Sequence, residues 1–83
     1  MKYIFSGHAL EQSKNRNIPE GYINEVIENP GKIIDYDECI KIYQSLIKTD
    51  KAYLLRVFIN TCKEPPVIIT VYKTSKIEKY HES

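Results

Sequence analysis

The chain has 83 residues, 42% of them hydrophobic and 28% charged, with seven Tyr, no Trp and a formal net charge of +1. That length leaves room for one domain, spanning residues 1–83, with a modest core that buries roughly 60–65% of the surface exposed on unfolding, and the composition excludes a disordered chain. With no apolar run near the ~20 residues a bilayer span needs and a start too short and polar for a signal peptide, a cytoplasmic protein without membrane attachment is expected.

Cutting the chain after residue 40 separates the charges. Residues 1–40 carry four Lys/Arg against seven Asp/Glu, whereas residues 41–83 carry eight against four. The basic half is the half that reads as sheet and tail, which suits an anionic partner on one side of the molecule.

Lys2 to Phe5 is a short strand candidate ended by Ser6-Gly7, and Ser6 can cap a helix over residues 7–15. Ala9, Leu10 and Ser13 form a weak stripe, so this helix should lie on the core rather than inside it. After Asn15-Arg16-Asn17, Pro19 suits the first turn of a second helix that ends at Asn29-Pro30-Gly31. Its apolar face is Tyr22, Ile23, Val26 and Ile27.

From Lys32 onward the period becomes alternating, with strands near 32–36, 39–48, 52–62 and 66–73 in an antiparallel meander. The stretch Leu54 to Asn60 is the middle of the sheet. Leu55, Val57 and Ile59 fall on a purely aliphatic face; Leu54, Arg56, Phe58 and Asn60 fall on the other. A guanidinium there must reach solvent or meet an anion, so Arg56 is either a snorkelling surface residue or the first functional candidate.

With a two- or four-residue loop around Thr49-Asp50-Lys51-Ala52, Ile42 faces Ile59 and Leu46 faces Leu55 on the core side. Tyr43 then faces Phe58, and Ser45 faces Arg56, on the other side. The same register sets Cys39 opposite Cys62, within reach of a disulfide. A cytosol favours two reduced thiols. In the last strand Val67, Ile69 and Val71 are assigned to the core and Ile68, Thr70 and Tyr72 to the opposite face. Residues 74–83 read as a polar tail or as a short helix opened by the capping box Ser75-Lys76-Ile77-Glu78.

With both helices on one face, the other would show Tyr43, Ser45, Arg56, Phe58, Thr70 and Tyr72, edged by Lys41, Lys73 and the tail. Rings beside a guanidinium suit single-stranded nucleic acid, because bases stack on rings while phosphates pair with Arg or Lys. Tyrosines also favour strands for their own sake. His8 at the start of the first helix is a candidate base, and His81 beside Tyr80 offers the same chemistry at the C-terminus. Cleaving RNA takes a base for the 2′-hydroxyl, cations for the phosphate and an acid for the leaving 5′-oxygen, which His, Arg, Lys and Tyr supply without a metal. His8, Cys39, Cys62 and His81 lack the close spacing of a zinc motif, and neither a metal nor another cofactor is expected.

Phe5-Ser6-x-His8-Ala9, Arg16-x-Ile18 and the run Val26 to Pro30 are followed by Tyr43-Gln44, Leu55-Arg56-Val57, Thr70-Val71-Tyr72, Lys76 and Lys79-Tyr80. In this order and spacing they resemble the bacterial and phage domain of unknown function 4258, usually grouped with RelE-type and barnase-like toxins. The resemblance implies an α+β domain of β-α-α-β-β-β order, its two N-terminal helices packed on one face of a small antiparallel sheet. It further implies a metal-independent ribonuclease toxin held by an antitoxin, free or associated with the ribosome. By that analogy His8, Arg16, Arg56 and Tyr72 are the site residues, and Tyr80-His81 is similar to the C-terminal Tyr and His of some RelE-type toxins. His8, Arg56, Tyr72 and His81 would carry the chemistry, while Arg16, Tyr43, Lys73, Lys76, Lys79 and Tyr80 would hold RNA. Two alternatives stand beside this. One is a non-catalytic module of the same fold that binds protein or nucleic acid, as a homodimer through its aromatic sheet face; the other is a toxin aimed at a protein such as a topoisomerase.

Overall fold

The computed structural model describes residues 2–77, in the order β1 (Ile4–Phe5), α1 (Gly7–Asn15), α2 (Glu20–Glu28), β2 (Lys32–Asp35), β3 (Ile40–Lys48), β4 (Ala52–Asn60) and β5 (Val67–Thr74). Ser6 is extended and its Oγ accepts the Ala9 N–H at 3.0 Å, so α1 begins where a hydroxyl satisfies one of its orphan donors. The helix ends at Arg16, and Asn17 takes a left-handed φ of 52°, which Asn tolerates better than most residues. Pro19 is the extended residue just before α2 rather than part of its first turn. No described helix is long and apolar enough to cross a membrane.

The sheet has five strands in the order β1-β5-β4-β3-β2. It is mixed, because β1 pairs parallel with β5 while the other neighbours are antiparallel. Both helices pack on one face. Ala9 of α1, with Ile23, Val26 and Ile27 of α2, meets Leu55, Val57, Ile59, Ile68 and Val71 in the principal core. As expected, Leu55, Val57 and Ile59 of β4 are the central side of it. Tyr22 is the exception on α2, being exposed although it shares the apolar stripe.

The register between β3 and β4 differs from expectation by one residue. Lys48 pairs with Ala52, so Thr49, Asp50 and Lys51 form a three-residue loop. Thr49 holds this loop, its N–H donating to the Lys51 carbonyl at 2.9 Å and its hydroxyl to Asp50 Oδ1 at 3.0 Å. A one-residue slip moves every side chain of a strand to the other face. Tyr43 and Ile47 therefore pack against the helix-side core, while Ile42, Gln44 and Leu46 turn to the opposite side.

A bulge between Phe58 and Ile59 resets the second half of the expected pattern, pairing Ile59 with Ile68. Ile68 is consequently in the core, and Val67 and Ile69 are only half-buried. Thr70 and Tyr72 remain on the face away from the helices. The two cysteines also differ from expectation: they are joined as a disulfide, with Cα atoms 5.1 Å apart. Cys39 shares its rung with Thr61, whose N–H and hydroxyl both donate to the Cys39 carbonyl, and Cys62 lies one step diagonally beyond. A reducing compartment favours thiols, but the register places the two cysteines at bridging distance.

Candidate nucleic-acid interface

Because β1 has only two residues, it covers β5 at Val67 and Ile68 and no further. The rest of that edge would leave backbone groups unpaired. Helix α1 closes it. The Ser6 N–H donates to the Ile68 carbonyl at 2.9 Å, and the Gln12 side-chain Oε1 accepts the Val71 N–H at 3.0 Å. One turn later Arg16 reaches around the same edge, its guanidinium carbon 5.9 Å from the centroid of the Tyr72 ring. His8, Gln12 and Arg16 recur every four residues and so share one helix stripe. His8 is exposed one turn before Gln12 on this stripe.

From the sheet, Tyr72 pairs directly with Arg56 on the face away from the helices. Arg56 pairs in turn with Gln44, and its Nε donates to Gln44 Oε1 at 3.1 Å. The same guanidinium lies over the Phe58 ring at 5.5 Å, and Phe58 meets Tyr36 edge-on at 6.2 Å. The arrangement runs from helix to sheet as Arg16, Tyr72, Arg56, Phe58 and Tyr36, the two cations interleaved with Tyr72 and Phe58 and a third ring at the end. Ile42, Gln44 and Leu54 are buried on this face as well, so Arg56 stands on a small apolar patch.

The structure thus brings Arg16, Arg56 and Tyr72 together and sets His8 on the stripe that leads to them. It separates two expected members. Tyr43 belongs to the helix-side core because of the three-residue loop, and Lys73, opposite Leu55, also turns to the helix side, where its Nζ lies 5.0 Å from the Tyr53 ring centroid. Lys76 is exposed just beyond β5. Lys79, Tyr80 and His81 lie outside the described residues, as does most of the expected C-terminal helix. Among the described residues no group of His, Cys, Asp and Glu side chains could hold a metal ion.

Three participants were not anticipated. Gln12 had a legible signal in its four-residue spacing from His8 and Arg16. Gln44 alternates with the residues that share its face, but only once the loop length is known. Tyr36 lies just past β2 and gives no periodic signal.

Residues 5–73 match the family described as Domain of unknown function (DUF4258), and the chain belongs to that family. Neither the curated proteins nor the solved structures contain a significant match.

Proposed function

We propose that the domain binds single-stranded RNA along the Arg16–Tyr72–Arg56 row and cleaves it without a metal, as a RelE-like ribonuclease of toxin–antitoxin type acting in the cytoplasm. The observation that carries this reading is the place of Tyr72 of β5, with the guanidinium of Arg16, at the end of α1, over its ring and Arg56 of β4 as its cross-strand partner. Paired cations provide for a phosphate whose charge grows in the transition state, and the neighbouring rings provide stacking surfaces for bases. In the reaction His8 takes the proton of the 2′-hydroxyl, whose oxygen attacks phosphorus to give the 2′,3′-cyclic phosphate. The bond to the 5′-oxygen breaks, and Tyr72 donates the proton that oxygen needs. His81 could share the acid–base work in this scheme, and an antitoxin would cover the row.

The test is cleavage of a mixed-sequence RNA in EDTA by the wild type and by Arg56→Ala, His8→Ala and Tyr72→Phe proteins whose fold is verified by circular dichroism. Cyclic-phosphate ends with the wild type, lost in Arg56→Ala and His8→Ala, support the reading. Absence of cleavage with and without ribosomes, while RNA still binds the row, transfers it to the non-catalytic module.

A homodimer through this face is the second reading, favoured by Tyr36, which is 67% exposed beside Phe58. Light scattering of wild type and Tyr36→Ser protein separates it from the monomer.

A further inference from the structure

On the helix side of the sheet, at the end where the β3–β4 hairpin turns, the α1–α2 connection and α2 leave a cleft of about 250 Å³. Its floor is Ile18, Ile47 and Leu55, and its walls include Tyr22, Tyr53 and Lys73. The cleft lies on the opposite side of the sheet from Arg56. Its volume is below the range of about 300–1,000 Å³ that takes drug-sized ligands, so it has room for no more than one nucleotide-sized unit, part of it at the open rim.

The chemistry of the lining narrows the ligand. The Lys73 Nζ lies over the Tyr53 ring, and among the described residues no carboxylate is within ion-pair distance of it. A cation held by a ring, with no carboxylate partner among the described residues, can receive an anion. Tyr22 is 41% exposed although Ile23, Val26 and Ile27, its companions on α2, are buried. It lines the cleft. Asn17 and Asp50 supply hydrogen-bonding groups at the rim. A carboxylate accepts from amino-bearing base edges, whereas uracil shows two carbonyl acceptors around a single N–H.

We propose that this cleft is a second, separate nucleotide site that takes one nucleoside monophosphate unit, free or within a single strand, with its base against Tyr22 and its phosphate at Lys73. Tyr53 is a positioning residue, fixing the ammonium from below. The site does not depend on cleavage at the Arg56 row. Guanine, adenine and cytosine are preferred to uracil because of Asp50.

The experiment is an NMR titration of the ¹⁵N-labelled full chain with GMP, CMP, AMP and UMP, with inorganic phosphate and a short single-stranded RNA in parallel. GMP should move the amides of Tyr22, Asp50 and Lys73 at millimolar concentrations. Lys73→Gln should weaken this by about tenfold, the loss expected for one charge-assisted hydrogen bond. Tyr22→Ala, a change at an exposed position, should weaken it as well, while Arg56→Ala should leave it unchanged. Movement of the cleft with RNA but not with mononucleotides assigns the site to a unit within a strand; movement with both assigns it to the nucleotide itself. Equal shifts with inorganic phosphate alone, equal affinity in Lys73→Gln, or shifts confined to Arg16, Arg56 and Tyr72 would overturn the proposal. The last of these would leave the RNA reading of the Arg56 row standing, and loss of that row's binding with the cleft intact would do the reverse.

Discussion

Gln44 and Arg56 face each other across β3 and β4, the guanidinium Nε donating to the amide Oε1 at 3.1 Å, with Gln44 only 2% exposed. A buried amide oxygen fixes the long arginine side chain, which would otherwise lose rotamer freedom each time it met a phosphate. Gln44→Leu keeps the volume and removes the acceptor. We expect RNA affinity at the row to fall by about tenfold, the equivalent of one hydrogen bond to a charged group, and stability to change by roughly 1–3 kcal/mol. Fluorescence anisotropy with labelled RNA and urea unfolding measure the two effects. Unchanged affinity would make Gln44 a structural partner of Arg56 and nothing more.

The parts of this site that were legible in the sequence are those fixed by local periodicity. Arg56 opposite an aliphatic stripe, Ser6 as a cap and the bounds of α1 all follow from spacing within a single element. What was not legible depended on relations between elements. The hairpin could close with two, three or four residues, and the three-residue solution set by Thr49 exchanged Tyr43 and Gln44 between faces. The bulge at Phe58/Ile59 did the same to Ile68. Neither event leaves a mark on alternation within β3 or β5. The parallel pairing of β1 with β5, together with the Ser6–Ile68 and Gln12–Val71 bonds, sets α1 along the β5 edge and brings Arg16 to Tyr72.

Gln12 is the side chain that completes the open part of the β5 edge, through its contact with the Val71 N–H. Gln12→Ala leaves that amide without its acceptor beside a fully buried residue, at a cost of about 1–3 kcal/mol. Gln12→Glu retains an oxygen and should lose less. Hydrogen exchange at Val71 should accelerate in Gln12→Ala relative to the neighbouring β4 amides. Exchange as slow as in the wild type would show that helix packing, not this bond, protects the edge.

The Cys39–Cys62 disulfide closes a loop across a sequence separation of 23. Chain-entropy arguments give such a bridge about 3 kcal/mol, against a total of roughly 4–12 kcal/mol for a domain of this length. Reduction, or a double Ser substitution, should therefore lower the urea midpoint clearly without unfolding the domain. The ladder from Ile40–Asn60 to Lys48–Ala52 does not involve the sulfurs. RNA binding at Arg56 should accordingly be the same in oxidised and reduced protein. A parallel loss of binding and stability would tie the row to the disulfide.

Tyr3 makes the stability of the fold depend on alkaline pH. Its ring meets Phe5 at 5.9 Å and its hydroxyl donates to Asn24 Oδ1 at 2.8 Å. Burial, with smaller contributions from the Glu28 and Glu20 carboxylates, raises its pKa above the ordinary value of 10.0. The neutral phenol is thus favoured in the folded state, and between the unfolded and folded pKa values the native protein holds more protons than the unfolded chain. The stabilisation is complete below about pH 10 and is lost as the pH rises through the folded value. Tyr3→Phe cannot ionise, so its urea midpoint should fall less steeply than that of the wild type above this pH, although it lacks the bond to Asn24. Lysines and the remaining tyrosines titrate in both proteins, so the difference between the two curves isolates Tyr3. Parallel curves would mean that the phenol ionises as readily in the folded protein as in the unfolded chain.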